Sequence, residues 1–450
     1  MSPKPIPDGG RTDSDANHEW RAGAATRVIT PNRSMRLAGF SARTDPADGT
    51  MMDLHAKAVA FEDEEGSRAV VVSAEVLAIT RGLRDDVTTR VEEEYDIDTN
   101  GLVLNATHTH YGPEFRESRF ENYGLSEEER SEGRAYRNRL ADELVGVIGE
   151  AITALEPVSL QYGHARCGIG MNRRLPTSDG IRFRQAPDGP VDHDVPVLAA
   201  YRDGDPTAIL FGYACHPTCL PLLTEYSGDW VGHAMENLEE YYEEATAAFV
   251  QGCGGDIKAY PQNTRELSAQ HGRTLSNSVR AALDARTTTV RGSIETVYEE
   301  ITLEFEGPPS RTELEADLES DDEFERRRAR MLLDQLEERG EISTEHPYPV
   351  QALGFGDGLT MVAMGGEVLV EYSQRLEDRL EGNVWPLGYS NDGFTYVPTE
   401  RATYEGGYEG GDAIRLTPFP GPLPPETEDR IVGTALSLAE RVGSRRVEER

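Results

Sequence analysis

Two histidines stand one residue apart in the segment Asn105-Ala-Thr-His-Thr-His-Tyr-Gly-Pro113. An apolar run at residues 101–104 precedes them and predicts a buried strand. In an extended strand, His108 and His110 would point to one face, because successive side chains alternate between the two faces. Two imidazoles on one face are a geometry that a zinc site can use. Two hydrogen-bonded histidines without a metal would show the same spacing.

Three further junctions carry polar residues that hydrolytic metal sites use. His216-Pro-Thr218 follows one predicted strand, Asp256 lies in a glycine-rich turn after another, and Glu367 follows a pair of glycines that interrupts a third. Ligand sites in open α/β sheets lie at the carboxyl ends of strands. Each residue also has an ordinary structural explanation, as a core histidine, a turn aspartate or a surface glutamate. Four such junctions together favour a shared site.

The elements that must position these residues alternate between strands and helices. Predicted strands cover residues 68–76, 101–107, 207–214, 247–251 and 360–370. Predicted helices cover residues 82–95, 134–155, 229–243, 264–286, 371–381 and 429–444. This alternation indicates an α/β protein. We expect a polar tail at residues 1–20, a single domain at 21–450, and a charged helical insertion near 311–345.

The chain is strongly acidic, with 81 Asp+Glu against 45 Lys+Arg and a net charge of -36. The acidic residues alternate with apolar periodic segments, which favours a folded protein with an anionic, hydrated surface over disorder. Such a surface is typical of a salt-loving protein, because salt screens its self-repulsion. It also argues against nucleic-acid binding, which needs basic patches. Only three lysines occur, Lys4, Lys57 and Lys258.

The four cysteines do not form a disulfide framework, and we expect Cys215 and Cys219 to be small core residues rather than zinc ligands. The N-terminus has no apolar stretch typical of a signal peptide. No apolar run approaches the roughly 18 residues of a membrane span. We therefore expect a cytoplasmic protein without a membrane span.

Motifs spread over most of the chain resemble the neutral/alkaline (non-lysosomal) ceramidase family, through its N-terminal catalytic domain. The matching segments occur in order at residues 27–31, 37–43, 53–61, 72–75, 106–113, 172–174, 216–218, 255–257, 365–367, 393–399 and 408–410. The string Thr-His-Thr-His-x-Gly-Pro is the most specific of them. The resemblance implies an α/β catalytic domain of the ceramidase type, with mixed sheets flanked by helices.

The resemblance also implies one catalytic zinc ion, held by two histidines, a glutamate and a tyrosine. The matching ligands are His108, His216, Glu367 and Tyr396. His110 would then act as a neighbouring acid/base or orienting group.

Two more residues receive roles in the same way, and a third follows from its position. Arg173 matches a pocket arginine, and Tyr408 matches a tyrosine that would stabilise the oxyanion. We expect Asp256 to orient a ligand histidine.

The chain departs from the family pattern at two positions. Lys258 stands where family ceramidases carry a serine after Gly-Asp-Val, and Tyr111 replaces a serine of the His-x-His loop. Lys258 could bind an anionic substrate group or the oxyanion, or it could be a lysine on a surface turn. We also expect that the C-terminal immunoglobulin-like domain of family ceramidases is missing.

The sequence thus predicts a zinc-dependent hydrolase that cleaves the C–N amide bond of a small-molecule N-acyl substrate, ceramide-like or smaller, with metal-activated water. Two alternatives stay open. One is a zinc hydrolase that cleaves another bond, such as an ester, because a fold does not determine its substrate. The other is a metal-binding relative without catalysis. The sequence predicts no particular oligomeric state.

Overall fold

The structure is a computed structural model that describes residues 20–447 of the 450-residue chain. The predicted polar tail lies outside the described residues except for Trp20, which begins the first strand. The strands are β1 Trp20–Val28, β2 Gly49–Thr50, β3 His55–Asp63, β4 Arg68–Ala74, β5 Leu102–Ala106, β6 Glu156–Arg166, β7 Gly170–Thr177, β8 Gly180–Ala186, β9 Asp194–Arg202, β10 Asp205–Tyr213, β11 Glu225–Tyr226, β12 Thr246–Gln251, β13 Ile257–Ala259, β14 Thr288–Val290, β15 Ile294–Glu304, β16 Glu345–Phe355, β17 Leu359–Met364, β18 Glu367–Val368, β19 Val384–Leu387 and β20 Tyr396–Val397. The α-helices are α1 Arg81–Tyr95, α2 Glu117–Phe120, α3 Glu127–Thr153, α4 Asp229–Tyr241, α5 Arg265–Asp284, α6 Arg311–Asp317, α7 Glu323–Arg339, α8 Glu371–Arg379, α9 Glu400–Glu405, α10 Gly407–Gly410 and α11 Thr427–Arg441.

Two large mixed sheets form the centre of the fold. The first has the strand order β12-β10-β9-β6-β1-β3-β4-β5, with β14 also paired to β6, and the second has the order β15-β16-β17-β19. Most neighbours are antiparallel, whereas β10–β12, β4–β5 and β17–β19 are parallel. The remaining strands form small sheets of their own, in the orders β13-β7-β8, β11-β2 and β18-β20.

The two large sheets pack against each other, and helices cover their outer faces. Strand β3 shows the arrangement, because its residues alternate between two cores. Ala58 and Ala60 lie in the core formed with α1 and α3, whereas Val59 and Phe61 lie in the core between the sheets. The Phe61 ring meets Phe355 of the second sheet at 5.2 Å between centroids. A strand buried on both faces needs apolar residues at successive positions, which explains the unbroken apolar runs.

Further helices complete the outer layers. Helices α4 and α5 share a core with β9, β10 and β12, and helices α8 and α11 share a core with the second sheet. The prediction of an α/β fold with mixed sheets flanked by helices is therefore confirmed. The four cysteines are free and buried, and Cys215 and Cys219 lie in the α4–α5 core, as expected.

The charged segment between β15 and β16 contains the helices α6 and α7. They enclose a small core of their own, made by Leu314, Ala329, Leu332, Leu333 and Ile342. Arg328 of α7 donates to the carbonyl oxygen of Phe419 at 2.9 Å, which ties this hairpin to the C-terminal part of the chain. Among residues 20–447, no helix has both the length and the apolar composition that crossing a membrane requires.

Candidate functional site

The His-x-His segment lies in a loop rather than in a strand. Strand β5 ends at Ala106, and His108 takes a left-handed backbone conformation with φ of 67°. The expectation that strand alternation turns both histidines to one face is therefore wrong. The loop brings the rings together instead, because the His108 N–H donates to the carbonyl of Val76 at 3.1 Å. The Nε2 atoms of His108 and His110 lie 3.2 Å apart.

Backbone carbonyls orient the imidazoles of His108 and His216. The Nδ1 atom of His108 lies 2.7 Å from the carbonyl oxygen of Leu77, and the Nδ1 atom of His216 lies 2.7 Å from that of Gly254. In each ring Nδ1 therefore carries the proton and donates it, which leaves Nε2 as a bare lone pair. This is the arrangement that metal-binding histidines use.

Glu367 and Tyr396 reach the two Nε2 atoms from a small parallel sheet, in which these two residues are direct partners. The Oε2 atom of Glu367 lies 3.1 Å from His216 Nε2 and 3.3 Å from His108 Nε2. The Tyr396 hydroxyl lies 3.5 Å from His216 Nε2. Ligands of a tetrahedral zinc ion, with bonds of roughly 2.0–2.1 Å, are separated by about 3.3 Å. The three measured separations among these side chains are therefore compatible with a zinc ion between them.

The protonation states of this cluster also favour a bound cation. Burial, followed by the charge of Arg173, lowers the pKa of His216 to about 3, and burial and the other two histidines lower the pKa of His110. Burial would raise the pKa of Glu367, but His108 and His216 hold it well below its usual value. The neutral rings of His110 and His216 and a carboxylate thus aim lone pairs at one point, which is unfavourable without a cation. The ligand atoms of His108, His110 and His216 all lie within 4.8 Å of one another, so the cluster is a possible metal site.

Arg173 stands behind Tyr396 and is tied in three directions. Its guanidinium donates to Glu409 at 2.7 Å, to the carbonyl oxygen of Gly255 at 2.7 Å and to the Tyr396 hydroxyl at 2.9 Å. Its side chain is 2% exposed and that of Glu409 is 1% exposed. Arg173 therefore positions Tyr396, and its charge is neutralised by Glu409.

Asp256 lies near the centre but contacts none of its histidines. Its side chain accepts hydrogen bonds from Asn172 Nδ2 at 2.8 Å and from the Val370 N–H at 3.0 Å. The expectation that Asp256 orients a ligand histidine is therefore wrong, because carbonyl oxygens of Leu77 and Gly254 do so. Its carboxylate joins β7 to the start of α8.

Tyr408 and Lys258 lie on the rim of the centre, beside Phe183 of β8. The Tyr408 ring packs edge-on against Tyr396 and against Phe183, with 5.4 Å between centroids in both cases. The Lys258 ammonium lies 5.7 Å from the centroid of the Phe183 ring. The structure thus places all nine residues predicted from the sequence in or around one site.

Several residues of the site were not expected from the sequence. Glu409 is in the segment that carries Tyr408, so its position beside that residue was the available signal. Asn105 precedes the His-x-His motif, and its side chain bonds the Gln251 N–H at 2.8 Å and the Gly388 carbonyl oxygen at 2.9 Å. It thereby links the ends of β5 and β12 to the segment after β19.

A small cavity of about 20 Å³ adjoins the centre on the side of His108 and Glu367. It has room for about one water molecule. Arg116, Arg119 and Tyr389 line it, and the Tyr389 hydroxyl is buried with no hydrogen-bond partner in the described part of the chain. No spacing or motif in the sequence pointed to these three residues.

Known proteins that are similar to this chain share its fold. The family model described as neutral/alkaline non-lysosomal ceramidase, N-terminal, matches residues 20–294, which is more than half of the chain. A solved structure described as ceramidase complexed with C2 has a TM-score of 0.72 and 18% identity, and covers 94% of this chain and 75% of its own. The neutral ceramidase from Pseudomonas aeruginosa has a TM-score of 0.72 and 20% identity, with the same coverage. At these identities the two structures establish the shared fold. No curated protein sequence matches the chain.

Proposed function

We propose, for a chain that belongs to the neutral/alkaline non-lysosomal ceramidase family, that one zinc ion at this centre supports hydrolysis of the amide bond of an N-acyl substrate. Membership of the family supports an amide hydrolase of the ceramidase kind. The zinc ion and the choice of substrate are the proposed part. The observation that carries it is the convergence of the Nε2 atoms of His216 and His108 on one carboxylate oxygen of Glu367, at 3.1 Å and 3.3 Å.

Four side chains are the proposed ligands, His108, His216, Glu367 and Tyr396. Two nitrogen and two oxygen donors are a set that zinc accepts. His110 is the less suitable ligand, since its Nδ1 is buried without a hydrogen-bond partner in the described residues. Ligand histidines almost always donate that second N–H. His110 is therefore assigned a role beside the metal.

The remaining residues would provide proton transfer and charge stabilisation. A zinc ion held here would supply the positive charge that polarises the substrate carbonyl and makes a water molecule more acidic. Because burial lowers its pKa, His110 is neutral near pH 7 and can take a proton at Nε2 and pass it to the leaving amine. Tyr408 would donate its hydroxyl to the oxyanion, while Arg173 keeps Tyr396 in place.

Metal analysis of the purified protein tests the zinc proposal. We expect about one zinc ion per chain, and loss of most of it in His108→Ala and His216→Ala. His110→Ala should keep the zinc and lose activity by about a hundredfold or more. The exposed His164 provides the matched control, and His164→Ala should change neither quantity. A wild-type protein without bound metal after zinc reconstitution would contradict the proposal.

A substrate panel tests the proposed reaction. N-acyl amides and the corresponding esters, matched in acyl length, should be compared in the zinc-loaded protein. Cleavage of the amides, abolished by His110→Ala, supports the amide hydrolase. Cleavage of the esters alone would assign the site to another bond, and cleavage of neither would favour a metal-binding relative without catalysis.

A further inference from the structure

Lys258 leaves its strand on the side of the candidate metal centre. It is the middle residue of β13, and its neighbours Ile257 and Ala259 are buried in the α4–α5 core. Since side chains alternate along a strand, Lys258 points away from that core. Its backbone pairs with Met171 of β7 on one side and with His216 on the other. The side chain therefore starts directly beside a proposed zinc ligand.

The ammonium of Lys258 forms no direct ion pair, although the Asp229 carboxyl is near enough to interact with it electrostatically. Among residues 20–447, no carboxylate oxygen forms an ion pair with it within 4.0 Å, although the chain contains 81 acidic residues. Lys57, by contrast, is paired with Glu239 at 2.5 Å. A half-buried cation without a direct ion-pair partner is unfavourable, so this position favours binding of an anion.

Phe183 connects Lys258 with the catalytic groups. Its ring is 47% exposed, and it is approached by Lys258 Nζ at 5.7 Å from the centroid and by the Arg173 guanidinium at 4.7 Å. Glu409 neutralises Arg173, whereas Lys258, the other cation on this ring, has no direct ion pair.

An anion at this position would be part of the substrate. The Phe183 ring also packs against Tyr408, which packs against Tyr396 in turn, so a ligand on Lys258 lies next to the proposed reaction centre. The net charge of -36 repels anions from the molecule as a whole, so that a local cation is needed to hold one. One ammonium matches one singly charged group that accepts hydrogen bonds, which is the chemistry of a carboxylate.

We infer that Lys258, placed on the Phe183 ring, binds a carboxylate of the substrate, so that the preferred substrate is an N-acyl compound carrying a carboxylate rather than a neutral N-acyl amide. The inference rests on the proposed function, because it takes the same site to be the substrate site. The carboxylate can belong to the amine half, as in an N-acyl amino acid, or to the acyl half, as in the monoamide of a dicarboxylic acid.

Equilibrium binding tests the inference without requiring turnover. The probes are N-hexanoylglycine, its neutral carboxamide, and the N-hexyl monoamide of succinic acid, titrated calorimetrically into the zinc-loaded protein. We expect at least about tenfold tighter binding of one carboxylate probe than of the carboxamide, the usual effect of a charge-assisted hydrogen bond. Whichever carboxylate binds more tightly identifies the half of the substrate that carries the charge. Equal binding of all three probes would overturn the inference.

Variants separate Lys258 from the metal, which could also attract a carboxylate. Lys258→Met should lose the preference for the carboxylate probe while its affinity for the carboxamide stays unchanged, and Lys258→Arg should keep most of the preference. The matched control is Arg184→Met, which removes an exposed cation from the same hairpin as Phe183. An unchanged preference in Lys258→Met would overturn the inference. If Lys258→Met does not fold, Phe183→Leu at the exposed ring gives the second test, with a smaller loss of the same preference.

Kinetics distinguish this inference from the proposed function. In Lys258→Met, KM for the carboxylate substrate should rise about tenfold or more with kcat little changed, because the contact is present in substrate and transition state alike. Carboxylate binding that depends on Lys258, without hydrolysis of any amide, would support the carboxylate site and contradict the amide hydrolase. Hydrolysis of neutral and carboxylate amides at equal kcat/KM would support the amide hydrolase and contradict the carboxylate site.

Discussion

The proposed ligands are held by contacts that leave each side chain little freedom. His108 takes a left-handed conformation, which costs a non-glycine residue about 1–2 kcal/mol, and its bonds to the backbone of Val76 and Leu77 offset that cost. Arg173 fixes the Tyr396 hydroxyl and is itself fixed by Glu409. At this scale, the geometry of the centre depends on residues other than the proposed ligands.

Glu409→Gln should strongly destabilise the protein. The variant keeps the shape of the side chain but leaves the buried Arg173 guanidinium without its carboxylate, a loss of about 3–5 kcal/mol in the free energy of unfolding. Denaturant unfolding measures the change. The control is Glu405→Gln, whose side chain is 30% exposed and which pairs with Arg174, where about 1 kcal/mol or less is expected. Equal losses in both variants would show that the buried Arg173–Glu409 pair contributes no more to stability than the partly exposed pair of Glu405.

At the scale of elements, the centre is assembled where several chain segments end. The loops after β5, β10 and β12 bring His108, His216 and the Gly254 carbonyl, while β18 and β20 bring Glu367 and Tyr396. Asn105 and Asp256 hold these segments together through buried hydrogen bonds. Because Asp256 is titratable, its role also makes the stability of the fold depend on pH.

Ionisation of Asp256 should lower the free energy of unfolding as pH rises. Burial, opposed by its bond from Val370, raises the pKa of Asp256 to about 6 from an ordinary 3.8, so the folded state holds this proton more tightly than the unfolded state. The contribution of the protonated Asp256 carboxyl to the free energy of unfolding is complete below about pH 4. It is lost as pH rises through 6, and the total loss is about 3 kcal/mol.

Asp256→Asn should remove this dependence. The free energy of unfolding of the variant minus that of the wild type should therefore increase as pH rises from about 4.5 to 7. The exposed Asp188 supplies the control, and Asp188→Asn should follow the wild-type pH curve. A difference between Asp256→Asn and wild type that is constant over this range would contradict the raised pKa.

At the scale of the whole molecule, the charge of the surface governs solvent dependence. The net charge of -36 opposes compaction, because most exposed acidic groups repel one another. Ion pairs on the surface, such as those of Arg401 with Glu371 and Glu405, offset part of this repulsion. Salt weakens both the repulsion between acidic groups and the attraction within ion pairs. Because acidic groups are in excess, the weakening of the repulsion has the larger effect on stability.

The melting temperature should therefore rise with salt. Between about 0.1 M and 2 M KCl the Debye length falls from about 10 Å to below 3 Å, which screens repulsion between surface carboxylates. Scanning calorimetry in KCl measures the shift, and sucrose at matched osmolality serves as the control for simple exclusion of solute. A melting temperature that is independent of KCl, or that rises equally in sucrose, would contradict adaptation to salt.

Much of the fold followed from local patterns in the sequence. Continuous apolar runs predicted the buried strands β4, β10 and β12, and a 3.6-residue period predicted helices such as α3, because burial imposes these periods on neighbouring residues. The site residues came from spaced motifs and their resemblance to a family. Cys215 and Cys219 were recognised as core residues for the same local reason.

The sequence by itself determined the class of fold, the family and which side chains are available for a metal site. The tertiary structure decided how they are used. It brought His108 and His110 together through a left-handed loop, gave Asp256 a structural role, and paired Arg173 with Glu409 across 236 residues while leaving Lys258 without a direct ion pair. Periodicity is set by residues a few positions apart, whereas charge pairing and the convergence of ligands depend on contacts between distant segments, which no local pattern encodes.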